Sequence, residues 1–294
     1  MTETPKSPKT PSAQSGASSG GRSLRMSVTV GLILGGVFLA SILVYEQLFV
    51  LLATVAATAG AWELASAMRT QGWRIPRIPI AIGAFLILVA TYFGGSQLQW
   101  FTSMATIVVL TLWRTIEVFT IAPQHKATLR PLFRDISASI WVVVYVPLVT
   151  SFAALMLHDD PEHGHYWVLI YVTTVAFIDT AGYLVGRKFG QTKIAPGVSP
   201  KKSLEGLVAS IVAGSAVAIV GSLLMGKPLW FALLFAGGML LAAVFGDLAE
   251  SLIKRDLGIK DMSSVLPGHG GVMDRLDSIL PATLIAYLLI SIPL

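Results

Sequence analysis

The sequence contains no cysteine and few charged side chains. The absence of cysteine excludes disulfide bonds, thiolate metal ligands and a cysteine nucleophile. Charged residues make up only 13% of the 294 residues, whereas soluble domains average about 25%. So few charges cannot coat a water-soluble surface of this size, which excludes a soluble enzyme and a disordered chain. With 54% hydrophobic residues and a mean hydropathy of +0.73, the composition indicates an integral membrane protein.

Residues 1–25 are rich in Ser, Pro, Thr and Gly and have no apolar period. Such a segment cannot bury enough apolar surface to fold, so we predict a disordered cytosolic tail. Its basic residues resemble the start of a signal peptide. The apolar run that follows is nevertheless long enough for a bilayer span, and a second run comes almost at once, which favours a retained first helix.

Nine apolar segments follow the tail. Each is close to the ~20 residues that an α-helix needs to cross a ~30 Å hydrocarbon core, and none alternates like a barrel strand. The sequence therefore predicts an all-α integral membrane protein, a polytopic bundle of about nine transmembrane helices. The segments cover about residues 26–44, 47–68, 78–94, 99–119, 136–157, 166–186, 204–225, 229–253 and 273–293.

The distribution of basic residues predicts the orientation of the bundle. If the N-terminus is cytoplasmic, all of the 21 Lys and Arg residues except Lys227 fall on the inner side. Cytoplasmic loops retain positive charge, so we predict a cytoplasmic N-terminus. The net charge of +5 then reflects membrane topology, and no nucleic-acid partner is predicted.

Carboxylates concentrate near the predicted cytoplasmic ends of three spans. Ionisable residues inside spans are costly, so these positions point to a function. A carboxylate cluster needs a cation to offset its repulsion, and Mg²⁺ prefers such oxygen ligands together with substrate phosphates. Glu63, in contrast, is interpreted as a satisfied acid at a helix end. The clustered acids are Asp179 in the sixth segment, Asp247 and Glu250 in the eighth, and Asp274 and Asp277 in the ninth.

The eighth segment carries its polar residues at helical spacing. Asp247, Glu250, Ser251 and Lys254 follow each other at i, i+3, i+4 and i+7, which places them on one face of a helix. The following loop contains Gly268, Gly270 and Gly271 just before a predicted helix N-terminus, where backbone N–H groups favour a phosphate. Between these glycines, His269 is equally consistent with an acid, a base or hydrogen-bond donor, and with a structural residue of the turn.

A second basic cluster, GVSPKKSLEG at residues 197–206, opens the seventh segment. One interpretation is a loop that sets topology, with Ser203 as the helix cap. The other is a phosphate-binding element, because Lys201 and Lys202 are point charges of the kind that bind phosphate.

Several of these blocks carry a family resemblance. The run from 251 to 277 resembles the signature of phosphatidate cytidylyltransferases, the CDP-diacylglycerol synthases, without a departure over its 27 positions. DTAGYLVGRKFG (179–190), SPKKSLEG (199–206) and GDLAES (246–251) resemble the same family. The resemblance covers roughly the C-terminal half, and the N-terminal half matches in hydropathy only. The signature residues are Ser251, Lys254, Arg255, Lys260, Asp261, Pro267, His269, Gly270, Gly271, Asp274, Arg275 and Asp277.

The resemblance implies a reaction and a set of site residues. The phosphate of phosphatidic acid attacks the α-phosphorus of CTP, giving CDP-diacylglycerol and pyrophosphate, with Mg²⁺ held by Asp247 and Asp274. Asp277 is a further ligand or a partner of Lys254 or Arg255, and a second metal ion is left open. The implied catalytic residues are Asp247, Lys254, Arg255, Lys260, Asp261, His269, Asp274, Arg275 and Asp277. The implied substrate-binding residues are Asp179, Gly182, Tyr183, Ser199, Lys201, Lys202, Ser203, Glu205, Ser251, Gly270 and Gly271.

The sequence pattern and the resemblance together predict an organisation and a location. Residues 1–25 are the tail, 26–165 the N-terminal transmembrane helices and 166–294 a C-terminal catalytic transmembrane domain. CTP, phosphatidic acid and the lipid bilayer are the expected partners, a homodimer is left open, and a bacterial plasma membrane with the site at its cytoplasmic face is expected. Because the lipid cannot leave the bilayer, the site must open sideways, with Asp179, Gly182 and Tyr183 as candidate wall residues. Alternatively, Gly182 and Gly186 simply pack helices.

Elementary chemistry agrees with this reaction. A phosphate monoester has a second pKa near 6, so the nucleophile is already ionised and mainly needs relief of repulsion between two polyanions. The sequence has no G-x-S-x-G, G-x-x-x-x-G-K-[ST] or H-E-x-x-H motif. A CTP-dependent polyprenol or phytol-type lipid kinase is the nearest alternative, with Asp261 or His269 as base. An ion-coupled transporter would place its carboxylates nearer the bilayer centre.

Overall fold

The computed structural model describes residues 20–121, 129–195, 199–266 and 270–293, and most of them are helical. Strands β1 (Lys193–Ala195) and β2 (Ser199–Ser203) pair antiparallel between the sixth and seventh helices. A π-helical turn at Val144–Leu148 joins the fourth and fifth helices. The helices are α1 (Gly20–Val44), α2 (Glu46–Thr70), α3 (Arg77–Ile121), α4 (Leu129–Val143), α5 (Val149–Asp159), α6 (Gly164–Phe189), α7 (Leu204–Leu224), α8 (Leu229–Asp256), α9 (Met273–Leu276) and α10 (Ile279–Ile290).

Six helical segments of the described residues are long and apolar enough to cross a membrane. This confirms the predicted all-α polytopic fold, while the count of nine crossings and the cytoplasmic N-terminus stay predictions. The six segments are Glu46–Thr70, Arg77–Thr120, Leu129–Asp159, Gly164–Phe189, Leu204–Leu224 and Leu229–Asp256.

The first helix begins earlier than its apolar run. α1 starts at Gly20 and so includes residues 20–25, the last six residues of the predicted tail, whose disorder stays a prediction. Backbone hydrogen bonds within a helix do not require apolar side chains, so hydropathy alone places the start of a helix too late. The rest of the predicted tail, residues 1–19, lies outside the described residues.

α3 is a helical hairpin with its turn at Gly95. Gly95 has φ +61° and ψ −155°, a backbone conformation that favours glycine. Gly83 packs so closely against Thr106 that a Cβ at residue 83 would overlap it. In one straight helix these two residues would be about 35 Å apart. The arms 77–94 and 96–121 therefore run antiparallel and correspond to the third and fourth predicted segments.

The last helices pack against α8 through a glycine. Asp277 and Ser278 join α9 to α10 and keep helical backbone angles, so the two helices correspond to the ninth predicted segment. A Cβ at Gly246 would overlap the carbonyl oxygen of Asp277, and the Ser278 hydroxyl donates to the Ala243 carbonyl at 3.4 Å. This contact brings Asp277 beside the residue that follows Gly246, which is Asp247.

Glycines also join α6 to α7. A Cβ at Gly206 would come within 2.7 Å of the Gly182 carbonyl oxygen and 3.2 Å of the Gly186 Cα. Next to them, the Ser210 hydroxyl donates to the Ile178 carbonyl at 2.7 Å. The small side chains let the two helix backbones approach closely, as small residues do between membrane helices.

We expect Gly206→Ala to lower the free energy of unfolding by about 1 to 3 kcal/mol, because the new methyl group overlaps the backbone of α6. Gly237→Ala is the matched control, since no atom lies within 4 Å of a Cβ placed there. There, the higher helix propensity of alanine should leave stability equal or slightly higher. Thermal unfolding of the two variants in detergent tests this, and equal midpoints would contradict the close α6–α7 contact.

Candidate active site

The C-terminal end of α8 supplies the first part of the site. The Lys254 ammonium nitrogen lies 2.5 Å from Oε2 of Glu250, one turn earlier, which confirms that these residues share a helix face. Glu250 is fully buried, and its Oε1 has no hydrogen-bond partner. Burying a carboxylate with one oxygen that lacks a hydrogen bond costs folding free energy, so the surrounding structure must offset this cost.

Asp274 completes a buried ion-pair group with these two residues. Its Oδ1 lies 2.9 Å from the Lys254 ammonium nitrogen, and its Oδ2 accepts the backbone N–H of Met262 at 3.0 Å and of Gly271 at 2.7 Å. The Asp274 side chain is 2% exposed. Both carboxylate oxygens of Asp274 are thus engaged by the protein itself.

Asp247 forms a second, more open ion pair. Its carboxylate contacts the Lys202 ammonium group, and the two side chains are 35% and 33% exposed. Lys202 belongs to β2, directly before α7, where Ser203 caps the helix by accepting the Gly206 N–H at 3.2 Å. Lys202 therefore brings the 199–206 block to α8, and the interpretation of Ser203 as the helix cap is confirmed.

Further ionisable groups surround the Asp247–Lys202 pair. Asp179 interacts electrostatically with Asp277, Asp247, Lys202 and Arg275. Asp277 in turn lies against Glu250, so it connects this open group to the buried one. α6, β2, α8, α9 and the α9–α10 junction thereby bring five carboxylates and three basic side chains to one end of the bundle.

The glycine loop is shaped by Asp274 and by tight packing. Gly270 has φ +80°, and its carbonyl oxygen accepts the Leu266 N–H at 2.9 Å. The Gly271 N–H is directed at Asp274. This amide is therefore not free to bind an anion in the conformation described, and phosphate binding by the loop stays a prediction.

The other predicted residues lie around this cluster. Arg255, Lys260, Asp261 and Arg275 are exposed, Ser251 is partly buried, and Glu205 accepts the Thr192 N–H at 3.2 Å. Tyr183 is exposed and accepts a hydrogen bond from Arg187 at 3.1 Å, while Gly182 faces α7. The side chains of Ser199 and Lys201, together with Pro267, Gly268 and His269, lie outside the described residues.

Two groups from the N-terminal half also reach this region. The Tyr145 hydroxyl, on the π-helical turn, is buried without a hydrogen-bond partner and interacts electrostatically with Asp277 and Glu250. Glu63 of α2 accepts three hydrogen bonds from the segment between α8 and α10. The interpretation of Glu63 as a satisfied acid is confirmed. The sequence indicated neither contact, because these partners are more than 100 residues apart.

The carboxylate oxygens at this end of the bundle are the type of ligand that a hard divalent cation prefers. Asp179, Asp247 and Asp277 repel one another, and Lys202 and Arg275 are positive charges that partly offset this repulsion. Across the described ranges, no three His, Asp or Glu side chains are arranged closely enough to hold a metal ion as they stand. Binding would therefore require Lys202 to leave Asp247, or the substrate phosphates to supply ligands.

Known proteins match this chain over the whole length of the helical bundle. The profile of the Cytidylyltransferase family matches residues 25–293. A phosphatidate cytidylyltransferase of Mycobacterium bovis is 38% identical over 278 residues, covering 92% of this chain and 90% of that protein. The phosphatidate cytidylyltransferase of Mycobacterium leprae is 36% identical over 282 residues, covering 92% and 89%. That of Thermotoga maritima is 33% identical over 169 residues, covering 55% and 61%.

These matches extend well beyond the blocks that carried the resemblance. The expectation that the N-terminal half matches in hydropathy only is wrong, because the family profile begins at residue 25 and the alignment to the Mycobacterium bovis protein covers 92% of the chain. The match at the signature and the match over the full bundle agree, and the chain belongs to the cytidylyltransferase family.

Proposed function

We propose that the protein is a CTP:phosphatidate cytidylyltransferase. An oxygen of the phosphatidic acid phosphate attacks the α-phosphorus of CTP, and the bond from this phosphorus to the bridging oxygen of the β-phosphate breaks. The products are CDP-diacylglycerol and pyrophosphate. The observation that carries the proposal is the 38% identity to a phosphatidate cytidylyltransferase over 92% of the chain. Charged groups gathered at one end of a membrane bundle suit a lipid phosphate and a nucleotide.

The basic side chains divide into two roles. Lys254 is held between Glu250 and Asp274 and is mostly buried, so we assign it to organising the site. Lys202 is about one-third exposed, and the one ion pair described for it is with Asp247. Its ammonium group can turn to a CTP phosphate at little cost, since exposed ion pairs are weak. Lys201, beside it in sequence, is proposed for the same role.

Magnesium would neutralise charge between the two polyanions and polarise the α-phosphate. We propose Asp247 as a ligand, because its carboxylate is accessible. Asp277 stands beside it through the Gly246 contact, which favours it as the second ligand. Asp274, the ligand implied by the resemblance, is 2% exposed and already binds Lys254 and two backbone N–H groups, which makes it less accessible to a metal ion than Asp247. A second metal ion stays a prediction.

The protein is a multi-pass membrane protein by the length and apolarity of its helices. We propose a bacterial plasma membrane, with the charged end of the bundle at the cytoplasmic face, where CTP is present. A sideways opening beside Asp179 and the exposed Tyr183 would admit the lipid headgroup, and Tyr suits an interface position. A homodimer stays a prediction. The lipid-kinase and transporter alternatives gain no support from the relatives or from the position of the carboxylates.

The function is tested with purified protein, phosphatidic acid, radiolabelled CTP and Mg²⁺. We expect a labelled CDP-lipid whose formation depends on all three additions. An active relative such as a mycobacterial phosphatidate cytidylyltransferase, prepared in the same detergent, is the positive control. No CDP-lipid from this protein beside an active control would contradict the proposal.

Replacing Lys202 with alanine should raise the KM for CTP about tenfold, because one charge-assisted phosphate contact is lost. Lys227→Ala is the matched control, because Lys227 lies at the opposite end of α7, in the α7–α8 loop. Initial rates at varied CTP test this. If KM and kcat of Lys202→Ala equal those of the parent protein, the 199–206 block only sets topology.

A further inference from the structure

Glu63 lies near the C-terminal end of α2 and is 6% exposed. Its Oε1 accepts the Ser263 hydroxyl at 2.6 Å and the Val272 N–H at 3.1 Å, and its Oε2 accepts the Met273 N–H at 2.8 Å. All three donors belong to the segment between α8 and α10. Hydrogen bonds to an ionised carboxylate are about twice as strong as neutral ones. Glu63 is thus the principal anchor of this segment on the N-terminal half.

The anchored residues are next to the catalytic candidates. Met273 precedes Asp274 directly, and Met262, whose N–H bonds Asp274, precedes Ser263. Glu63 and Asp274 therefore bind the same turn. Glu63 binds it at residues 263, 272 and 273, and Asp274 binds it at residues 262 and 271. Gly271 lies between the two carboxylates, and a Cβ there would overlap Glu63. The glycine is required here by the close approach of α2.

A second bond from α2 fixes the beginning of the segment. The Gln71 side-chain amide donates to the Leu257 carbonyl at 2.8 Å, directly after α8 ends. α2 therefore contacts both ends of the stretch from 257 to 273. The N–H groups of Val272 and Met273 lie at the start of α9, where backbone N–H groups have no acceptor within the helix, and Glu63 of α2 supplies that acceptor.

We propose that Glu63 is a positioning residue for the cytidylyl transfer, an inference that rests on the function proposed above. By holding residues 263 and 271–273, it keeps Asp274 on Lys254 and Asp277 beside Asp247. The described hydrogen bonds of Glu63 go to Ser263, Val272 and Met273 and not to Lys202 or Asp247, so its loss should misplace the reacting residues without removing a contact from either of these two. Displacements of about 1 Å in an active site can cost 100-fold in rate.

Glu63→Gln preserves the size of the side chain but removes its charge and one of its two acceptor oxygens. We expect kcat to fall about 10- to 100-fold, with the KM for CTP changed less than about threefold. We also expect the backbone amides of residues 271–276 to exchange with deuterium about tenfold faster or more. Glu46→Gln, at the opposite end of α2, is the matched control and should change neither quantity.

Ser263→Ala keeps the test decisive if Glu63→Gln does not fold, since it removes only one of the three hydrogen bonds. It should lower kcat about two- to fivefold and lower the thermal midpoint by no more than a few degrees. Folded variants with the parent kcat, or faster amide exchange at 271–276 without a fall in kcat, would overturn the positioning role. If instead the parent protein forms no CDP-lipid, the proposed function fails, and the exchange comparison still reports whether Glu63 holds the segment.

Discussion

Asp247→Asn is expected to lower the rate of CDP-diacylglycerol formation by about 1,000-fold or more at any Mg²⁺ concentration. Asparagine matches aspartate in size but has one carbonyl oxygen and no charge, so it is a poor ligand for a hard cation. The Asp247–Lys202 pair is half-exposed. Its loss should therefore cost less than about 1 kcal/mol of folding free energy, and the variant should stay folded.

The measurement is the initial rate over a Mg²⁺ titration, together with the thermal midpoint in the same detergent. Asp256→Asn is the matched control, because Asp256 is an exposed carboxylate at the end of the same helix. It should retain the parent rate. Near-normal turnover of Asp247→Asn at saturating Mg²⁺ would remove Asp247 from the metal site.

Asp274→Asn should also be inactive, but because the buried ion-pair group is disrupted. It should therefore be less stable than the parent protein. The change leaves the Lys254 ammonium group with Glu250 as its only described carboxylate partner and weakens the bonds from the Met262 and Gly271 amides. Removing one member of a buried ion pair typically costs about 3 to 5 kcal/mol. The thermal midpoint should fall by several degrees, in contrast to that of Asp247→Asn.

Denaturant or thermal unfolding of both variants, beside their turnover, separates the two roles. Lys254→Met tests the same network from the other side, and the double variant Asp274→Asn with Lys254→Met should recover part of the lost stability without activity. An Asp274→Asn protein as stable as the parent, and inactive only at low Mg²⁺, would instead make Asp274 a metal ligand.

The sequence predicted the features that depend on local spacing. The i, i+4 relation of Glu250 and Lys254 on α8 follows from helix geometry alone. The boundary between the third and fourth segments follows from the break in hydropathy at about residues 95–98, and the cap at Ser203 follows from residue type. The carboxylate cluster was also predictable, because acids at the ends of apolar segments are rare enough to be informative.

Features that depend on packing between distant segments could not be predicted in this way. Nothing local to Glu63 indicates that Ser263, 200 residues later, donates to it. The resemblance implies Asp274 as a metal ligand, which stays a prediction, but it did not indicate that Lys254 and two backbone amides also bind this carboxylate. Such pairings are decided by how α2, α8 and α9 pack, since each side chain has several acceptable partners until the helices are in place.

The most direct test of the proposed reaction is to follow the separate phosphates of CTP. Phosphatidic acid, Mg²⁺ and the purified protein are incubated with CTP labelled at the α-phosphorus or, in a parallel reaction, at the γ-phosphorus. The account predicts that the α label moves into the lipid fraction and the γ label appears only in pyrophosphate, both with Asp256→Asn and with the parent protein. Transfer of the γ label to lipid, with CDP released, would show a lipid kinase and contradict the account.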